Sequence, residues 1–484
     1  MVLRAVWFAG LAGVACNHAT PAGRAPSPRD PVLAAADDRA AFVAADAKLD
    51  RVTGTTARIG NRVELLIDGT TSFARRLANA RDADVILVKT FAFTDDETGR
   101  AVADLLIERA KAGAYVVVQY DAIGSIHDPG DVGPMLANGN EKPIISRLRA
   151  AGIDVQATNA PAGKVELDQI AGGLTRTVLH PFEHLGIVLD RTHRLEFHDH
   201  EKYWITGHHG QVTAIIGGMN IGSEYAFGGA DRVDAVTGAR GWHDVDVEVA
   251  GPVVNDVVAR YFAVLDTHRG TQADHARWNP PQPPAGDARV RFVFNHPRFH
   301  NTHAIDEMYA TLVDATPPTG VVRIETAYFA PSDQLRDRLH AALRRGTRLA
   351  VISNLETNDT APVAEATWFV YHALLDVDSS AALYQRVARP DLGEVMIHCK
   401  VASFGTRGPV VIGSANLDAQ SGEHNSEAVL VIEDPSLRVK FDAMFDQDLG
   451  ADRATRVTRG MLEHDSTWTR FRQWAVFNLG KSWL

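Results

Sequence analysis

The sequence predicts an α/β protein of the α+β/α sandwich class: two pseudo-symmetric domains, each a mixed, mainly parallel sheet flanked by helices, closing on one shared active-site cleft. Three observations carry that expectation. A strand-helix-strand pattern occurs twice, a polar motif occurs twice at matched places, and a proline-rich connector separates the copies. The 484 residues, 45% hydrophobic and 23% charged, suffice for a leader and two domains of ordinary size, and they exclude a disordered polymer.

Residues 1–16 read as a signal segment: one positive charge at Arg4, an uncharged apolar run over residues 5–15, and small residues directly before Cys16. The run is too short to span a bilayer. Residues 17–45 are expected to be a tether, since residues 17–31 hold four prolines and few large apolar side chains. The first domain is expected over residues 60–270. In it, residues 85–88 read as a buried strand, residues 97–112 as a helix with Val102, Leu105, Leu106 and Ala110 on one stripe and Gly113 as its stop, and residues 115–119 as the next strand. Residues 271–288, with the run Asn279-Pro-Pro-Gln-Pro-Pro-Ala-Gly286, read as the linker. The second domain, residues 289–450, repeats the order: a strand at 321–325, a helix at about 332–345 closed by Gly346, and a strand at 348–352. Residues 451–484 form an aromatic tail with Trp468, Phe471, Trp474, Phe477 and Trp483, expected to touch lipid or cap the domain.

The repeated motif carries the chemistry. His200-Glu-Lys202 precedes a hairpin and Gly217-Gly-Met-Asn220; His398-Cys-Lys400 precedes a hairpin and Gly413-Ser-Ala-Asn416. Asp244 opens one later strand and Glu427 its counterpart, aligned without a gap. Residues i and i+2 of a strand share a face, so each histidine projects with its lysine. Two such sheets brought face to face would gather two imidazoles, two ammonium groups and two amides in one cleft, which suits a phosphodiester. One histidine can attack phosphorus while the lysines and asparagines stabilise the non-bridging oxygens, and the other histidine can serve as acid and then base. Asp244 and Glu427 are expected to bond the far ring nitrogen of a histidine. This chemistry needs no cofactor and no metal. His198, His208, His209 and His243 have no counterparts around the second motif and are read as surface or pocket-lining residues; Cys399, on the opposite strand face from its neighbours, is read as a small buried apolar residue.

On these motifs the sequence resembles the phospholipase D superfamily and, within it, the bacterial cardiolipin synthases. Likeness runs over residues 63–449, in segments such as Leu65-Leu-Ile-Asp-Gly69, Tyr120-Asp-Ala-Ile-Gly124, Tyr328-Phe-Ala-Pro331, Ser353-Asn-Leu-Glu-Thr-Asn-Asp359 and Gly413-Ser-Ala-Asn-Leu-Asp418. The resemblance implies two phospholipase D-like domains, His200 and His398 as nucleophile and acid/base, and Lys202, Lys400, Asn220 and Asn416 as phosphate ligands. It also implies that the first histidine is the nucleophile. One departure stands out: the family's His-x-Lys-(x)4-Asp pattern has Gly207 and Gly405 at its two aspartate positions, each opening a Gly-x-x-Gly turn.

The resemblance therefore implies a phosphatidyltransferase working through a phosphatidyl-histidine, with phosphatidylglycerol or phosphatidylethanolamine as substrates. The alternatives are a phospholipase D-type hydrolase and a catalytically weakened lipid-binding paralogue. A formal charge of -11 and no basic, aromatic-interleaved stripe weigh against nucleic acid as a partner. Leu11-Ala-Gly-Val-Ala-Cys16 resembles the lipobox of bacterial lipoproteins, with lipidation at Cys16, which puts the protein at the membrane surface of a bacterial cell envelope, anchored or exported.

Overall fold

The computed structural model describes residues 38–122, 124–125, 141–158, 198–297, 303–358, 361–463 and 465–480. The expected signal segment, Cys16, the tether up to residue 37 and Trp483 lie outside the described residues. Among the described residues, no helix is long and apolar enough to cross a membrane.

The first half contributes β1 (Arg58–Ile67), β2 (Val85–Thr90), β3 (Tyr115–Asp121), β4 (Asp154–Thr158), β5 (Tyr203–His208), β6 (Gln211–Gly217) and β7 (Val245–Ala250). The second contributes β8 (Ala288–Asn295), β9 (Val321–Thr326), β10 (Phe329–Ala330), β11 (Arg348–Ser353), β12 (Ala382–Arg386), β13 (Lys400–Phe404), β14 (Val410–Gly413), β15 (Leu417–Asp418), β16 (Glu427–Glu433) and β17 (Ala454–Val457). They form one sheet in the order β17-β12-β11-β9-β13-β14-β16-β8-β1-β7-β6-β5-β2-β3-β4, with β10 and β15 paired apart from it. Read outward from the β8-β1 junction, the two arms have the same strand order, so the sequence repeat is a structural repeat. Each arm is mixed: β2-β3-β4 and β9-β11-β12 run parallel, and the pairs nearer the junction run antiparallel. At the junction, Arg58 and Asn61 of β1 pair with β8 while residues 62–67 pair with β7.

The crossover helices form where their caps and apolar stripes fall. Asp96 accepts from Gly99 N at 2.7 Å and caps Glu97–Lys111, which buries Val102, Ala103, Leu106 and Ile107. Ser332 accepts from Leu335 N at 3.2 Å and caps Asp333–Arg344, which buries Leu335, Leu339 and Leu343. Such caps contribute about 1 kcal/mol each. Gly113 and Gly346 close the two helices at positive φ. Three apolar cores result. One lies under the helices of each half, and a third joins the halves, where Ile205, Ile216 and Val247 pack with Val401, Ile412 and Leu430. With both faces covered, β5, β13 and β16 are buried along nearly their whole length.

One boundary differs from the sequence reading, and the linker and tail make defined contacts. The expected tether gives way at residue 39 to the helix Arg39–Thr53, because Phe42 and Leu49 bury into the second half's core and Asp46 pairs with Arg291 at 2.7 Å. The proline-rich linker is packed rather than loose: Gln282 accepts from Val212 N at 2.9 Å and donates to Gly210 O at 3.1 Å. In the tail, β17 extends the sheet beside β12, and the helix Thr467–Gly480 buries Phe477 against Phe369 while Trp468, Phe471 and Trp474 stay exposed.

The two motif hairpins explain the missing aspartates. At the second, Asp38 reaches in from the start of the first helix; its carboxylate accepts from Thr406 N, from Thr406 Oγ1 at 3.2 Å and from Arg407 N at 2.9 Å. Gly405 has φ of 65°, and a Cβ there would sit 2.1 Å from Asp38 Oδ2. At the first hairpin, Asp84 accepts from His209 N at 2.8 Å, and its own N–H donates to Gly207 O at 2.8 Å. Gly207 needs no positive φ, and its nearest neighbours for a Cβ are at 3.5 Å. Both turns are thus held by a carboxylate from elsewhere in the chain. Gly405→Ala is therefore expected to cost about 2 kcal/mol or more, through φ strain and displacement of Asp38, whereas Gly207→Ala stays within about 1 kcal/mol of the parent. Chemical denaturation of both variants checks this; equal losses would contradict it.

Candidate active site

Each motif histidine sits in an extended segment just before a hairpin strand, and that segment is stitched to the other half. Asp199 bridges Ser426 in parallel, with His200 N donating to Ser426 O at 2.9 Å; Ile397 bridges His243, with His398 N donating to His243 O at 2.6 Å. The residue that precedes each acid therefore lies against the segment bearing the opposite histidine. The side chains follow. His200 Nδ1 bonds Glu427 Oε1 at 2.8 Å and Oε2 at 3.0 Å, and His398 Nδ1 bonds Asp244 Oδ2 at 2.8 Å. Each imidazole is tied to a carboxylate of the other half, leaving Nε2 as the ring nitrogen for chemistry.

Two residues not singled out in the sequence hold these segments. Asp121, ending β3, accepts from Asp199 N at 2.7 Å; Asn354, following β11, accepts from Ile397 N at 3.0 Å and donates to Ile397 O at 2.7 Å. They occupy equivalent places, each gripping the residue before a motif histidine. Their signal was positional: both stand at the carboxyl end of a parallel strand, where α/β sheets build their sites.

The remaining motif groups gather around the rings. Lys202 Nζ donates to His200 O at 2.7 Å, and Lys400 Nζ donates to His398 O and lies 3.0 Å from His398 Nδ1. Asn220 accepts from Phe91 N at 3.1 Å and Ala92 N at 3.2 Å and donates to the Tyr225 hydroxyl at 2.8 Å. Asn416 is freer: its buried Oδ1 has no hydrogen-bond partner among the described residues. Phe91 meets the His200 ring edge-on at 4.8 Å, while Trp242 stacks on His398 at 5.3 Å and Tyr225 meets it edge-on at 5.1 Å. Aromatic walls of this kind fix ring orientation and exclude water.

Burial governs the electrostatics. It drives His200 well below the ordinary imidazole value, helped by the charges of Lys202 and Lys400, and it pulls His398 down to about 4. It also pulls Lys202 down to about 7 and pushes Glu427 up to about 7. Burial alone would raise Asp244 too, but His398 and Lys400 outweigh it and hold that carboxyl below its usual range. The influence of each lysine on the opposite histidine reflects how near the two motifs lie.

The acids are seated differently. Glu427 accepts from Ser421 Oγ at 2.8 Å, Ser414 Oγ at 2.5 Å and Asn425 Nδ2 at 3.3 Å. The shorter Asp244 accepts from Val245 N at 2.7 Å, and a Cβ on Gly218, the counterpart of Ser414, would lie 2.4 Å from its Oδ1. Glycine thus stands opposite Asp244, where a side chain would collide with the carboxyl, and serine opposite Glu427, whose carboxyl its hydroxyl bonds.

Of the other histidines, His198 lies beside Phe91, and His208 and His209 are exposed near Asp84. His243 corrects the sequence reading. It is 2% exposed, with Nδ1 2.6 Å from Asp68 Oδ1, because its strand segment is clamped beneath Ile397 rather than open to solvent. Cys399 is wholly buried, its Sγ 3.5 Å from His243 O.

The raised carboxyl of Glu427 makes a stability prediction. Its contribution to folding is present below the unfolded value near 4.5 and is lost as pH rises through about 7. Glu427→Gln, which carries no charge, is therefore expected to match the parent's thermal stability near about pH 4.5 and to exceed it by about 2–3 kcal/mol near about pH 8. Melting curves across that range check it; a gain independent of pH would contradict it.

Residues 318–449 match the family described as cardiolipin synthase, PLD-like domain. The chain is 25% identical over 405 residues to the major cardiolipin synthase ClsA of Bacillus subtilis (strain 168), covering 81% of this chain and 70% of that protein. It is 26% identical over 401 residues to cardiolipin synthase A of Pseudomonas aeruginosa (strain UCBPP-PA14), covering 83% and 69%. Its fold is that of the phosphatidylserine synthase of Haemophilus influenzae Rd KW20, with a TM-score of 0.60 at 12% identity over 92% of this chain and 100% of that one. Residues 318–449 thus match a cardiolipin synthase-type PLD-like domain, and over about four fifths of its length the chain is similar to bacterial cardiolipin synthases.

Proposed function

We propose that the protein is a phosphatidyltransferase of the cardiolipin synthase type. The observation that carries the reading is the pair of crossed imidazole-carboxylate bonds, His200 to Glu427 and His398 to Asp244, each with a lysine alongside. In the first step His200 Nε2 attacks the phosphorus of a phosphatidyl donor, forming an N–P bond as the P–O bond to the leaving alcohol breaks. His398 Nε2 gives that alkoxide a proton. In the second step His398 takes the proton of an acceptor hydroxyl, whose oxygen forms the new P–O bond as N–P breaks. Lys202, Lys400, Asn220 and Asn416 stabilise the non-bridging oxygens, and no metal is needed at phosphorus. With phosphatidylglycerol as donor and acceptor the products are cardiolipin and glycerol; phosphatidylethanolamine is the other donor the reading admits. His200 takes the nucleophile's place because the family resemblance implies that order.

The protein would work at a membrane surface of the cell envelope, held by a lipid on Cys16 where export and lipidation occur. The exposed aromatic row of Trp468, Phe471 and Trp474, running along one flank of a helix anchored by the buried Phe477, supports lipid contact.

Purified protein given phosphatidylglycerol is expected to yield cardiolipin and glycerol by mass spectrometry; phosphatidic acid instead would favour the hydrolase reading, and no product from a folded protein would favour the weakened paralogue. His200→Ala and His398→Ala are each expected to lower turnover by about 10³-fold or more, with a phosphohistidine trapped at His200 in the His398→Ala protein. Trp468→Ala with Phe471→Ala and Trp474→Ala is expected to weaken co-sedimentation with phosphatidylglycerol vesicles by about tenfold while leaving the melting temperature within about 2 °C.

A further inference from the structure

Behind the second motif, on the strand face away from the cleft, lies a cluster that the reaction above does not use. His243 Nε2, a Glu325 carboxylate oxygen and Cys399 Sγ all lie within 4.8 Å of one another. His243 is 2% exposed and the other two 0%. Neither Glu325 oxygen has a hydrogen-bond partner among the described residues; Oε1 lies 3.9 Å from His243 Nε2, which faces Asp448 Oδ2 at 3.3 Å. A buried carboxylate with both oxygens unsatisfied is costly and calls for a partner.

The other arm of the repeat shows a different filling of the equivalent place. The counterparts of Glu325, Cys399 and His243 are Lys89, Glu201 and Ser426. There Glu201 accepts from Lys89 Nζ at 3.0 Å, Arg260 Nε at 3.0 Å and Ser426 Oγ at 2.5 Å, so the buried charges are matched. In the second arm the same three positions hold an imidazole, a carboxylate and a thiol, each able to give a lone pair to a cation. The histidine is also oriented for ligation: Asp68 Oδ1 accepts from Nδ1 at 2.6 Å, which fixes the tautomer and points Nε2 into the cluster.

We propose that His243 Nε2, Cys399 Sγ and the two unmatched oxygens of Glu325 bind a divalent transition-metal ion of the zinc type. One thiolate, one imidazole and a carboxylate are ligands zinc accepts in a closed site, and Asp68, bonded to His243 Nδ1, would hold the imidazole in place. The site would be structural. Cys399 lies between His398 and Lys400, and His243 directly precedes Asp244, so the ion would pin the two segments that deliver the His398–Asp244 pair.

The full chain, produced in zinc-supplemented medium and purified without chelator, is expected to carry about one zinc ion per molecule by plasma mass spectrometry. Cys399→Ser and Glu325→Gln are each expected to lower that content by about tenfold, and cobalt-loaded parent is expected to show a thiolate-to-cobalt charge-transfer band that Cys399→Ser lacks. His208→Ala with His209→Ala, which removes the exposed group near Asp84, is expected to leave the zinc content unchanged. A folded parent protein without bound metal, whose melting temperature responds neither to zinc nor to chelator, would overturn the proposal. So would zinc that disappears with His208 and His209, or a cobalt spectrum unchanged by Cys399→Ser. All these readouts are independent of lipid turnover, so their failure would leave the transferase reading standing.

Discussion

The structure turns on the bond that each motif histidine makes to a carboxylate from the other half. His200 reaches Glu427 across the junction and His398 reaches Asp244. Neither half alone supplies an oriented imidazole, because the acid that sets its tautomer lies in its partner. This accounts for the continuous sheet through β1 and β8 and for the apolar core shared between the arms. Both hold the two motifs in register, and a rotation of one arm would break both pairs at once.

Much of this was legible in the sequence, for local reasons. The crossover helices announce themselves through Asp96, Ser332, Gly113 and Gly346, and the paired motifs and trailing acids align by simple spacing. What spacing cannot tell is which acid serves which histidine. That depends on the bridges from 199 to 426 and from 243 to 397, which join residues over a hundred positions apart and leave no local period. Asp121 and Asn354 escaped notice for the same reason, since their task is defined by a neighbour in space. The helix from Arg39 was hidden because its start lies in a stretch read from composition, while its stability comes from Phe42, Leu49 and Asp46 docking on the second half.

The glycines at 207 and 405 show how a missing side chain misleads when read alone. Each looked like the loss of a supporting acid, yet Asp84 and Asp38 bring a carboxylate to each turn from outside the motif. The two solutions are not equivalent. Asp38 occupies the space where a Gly405 side chain would begin, so glycine is required there, whereas the space around Gly207 is ordinary. The turns are held, but by contacts that tie the second hairpin to the amino-terminal helix and the first to the start of β2.

The same divergence between equal positions runs through the strands behind the motifs. On one arm, Lys89, Glu201 and Arg260 form a buried ion cluster whose members satisfy one another. On the other, Glu325 keeps both oxygens unmatched beside Cys399 and His243, and the arginines nearby are already engaged with Asp448 and Glu394. A duplicated fold must bury something at both places, because each strand is covered on both faces. Buried charge is tolerable only when a partner of opposite sign is supplied. One arm supplies it from its own side chains, and the arrangement of the other is the one expected where the positive charge is a bound ion.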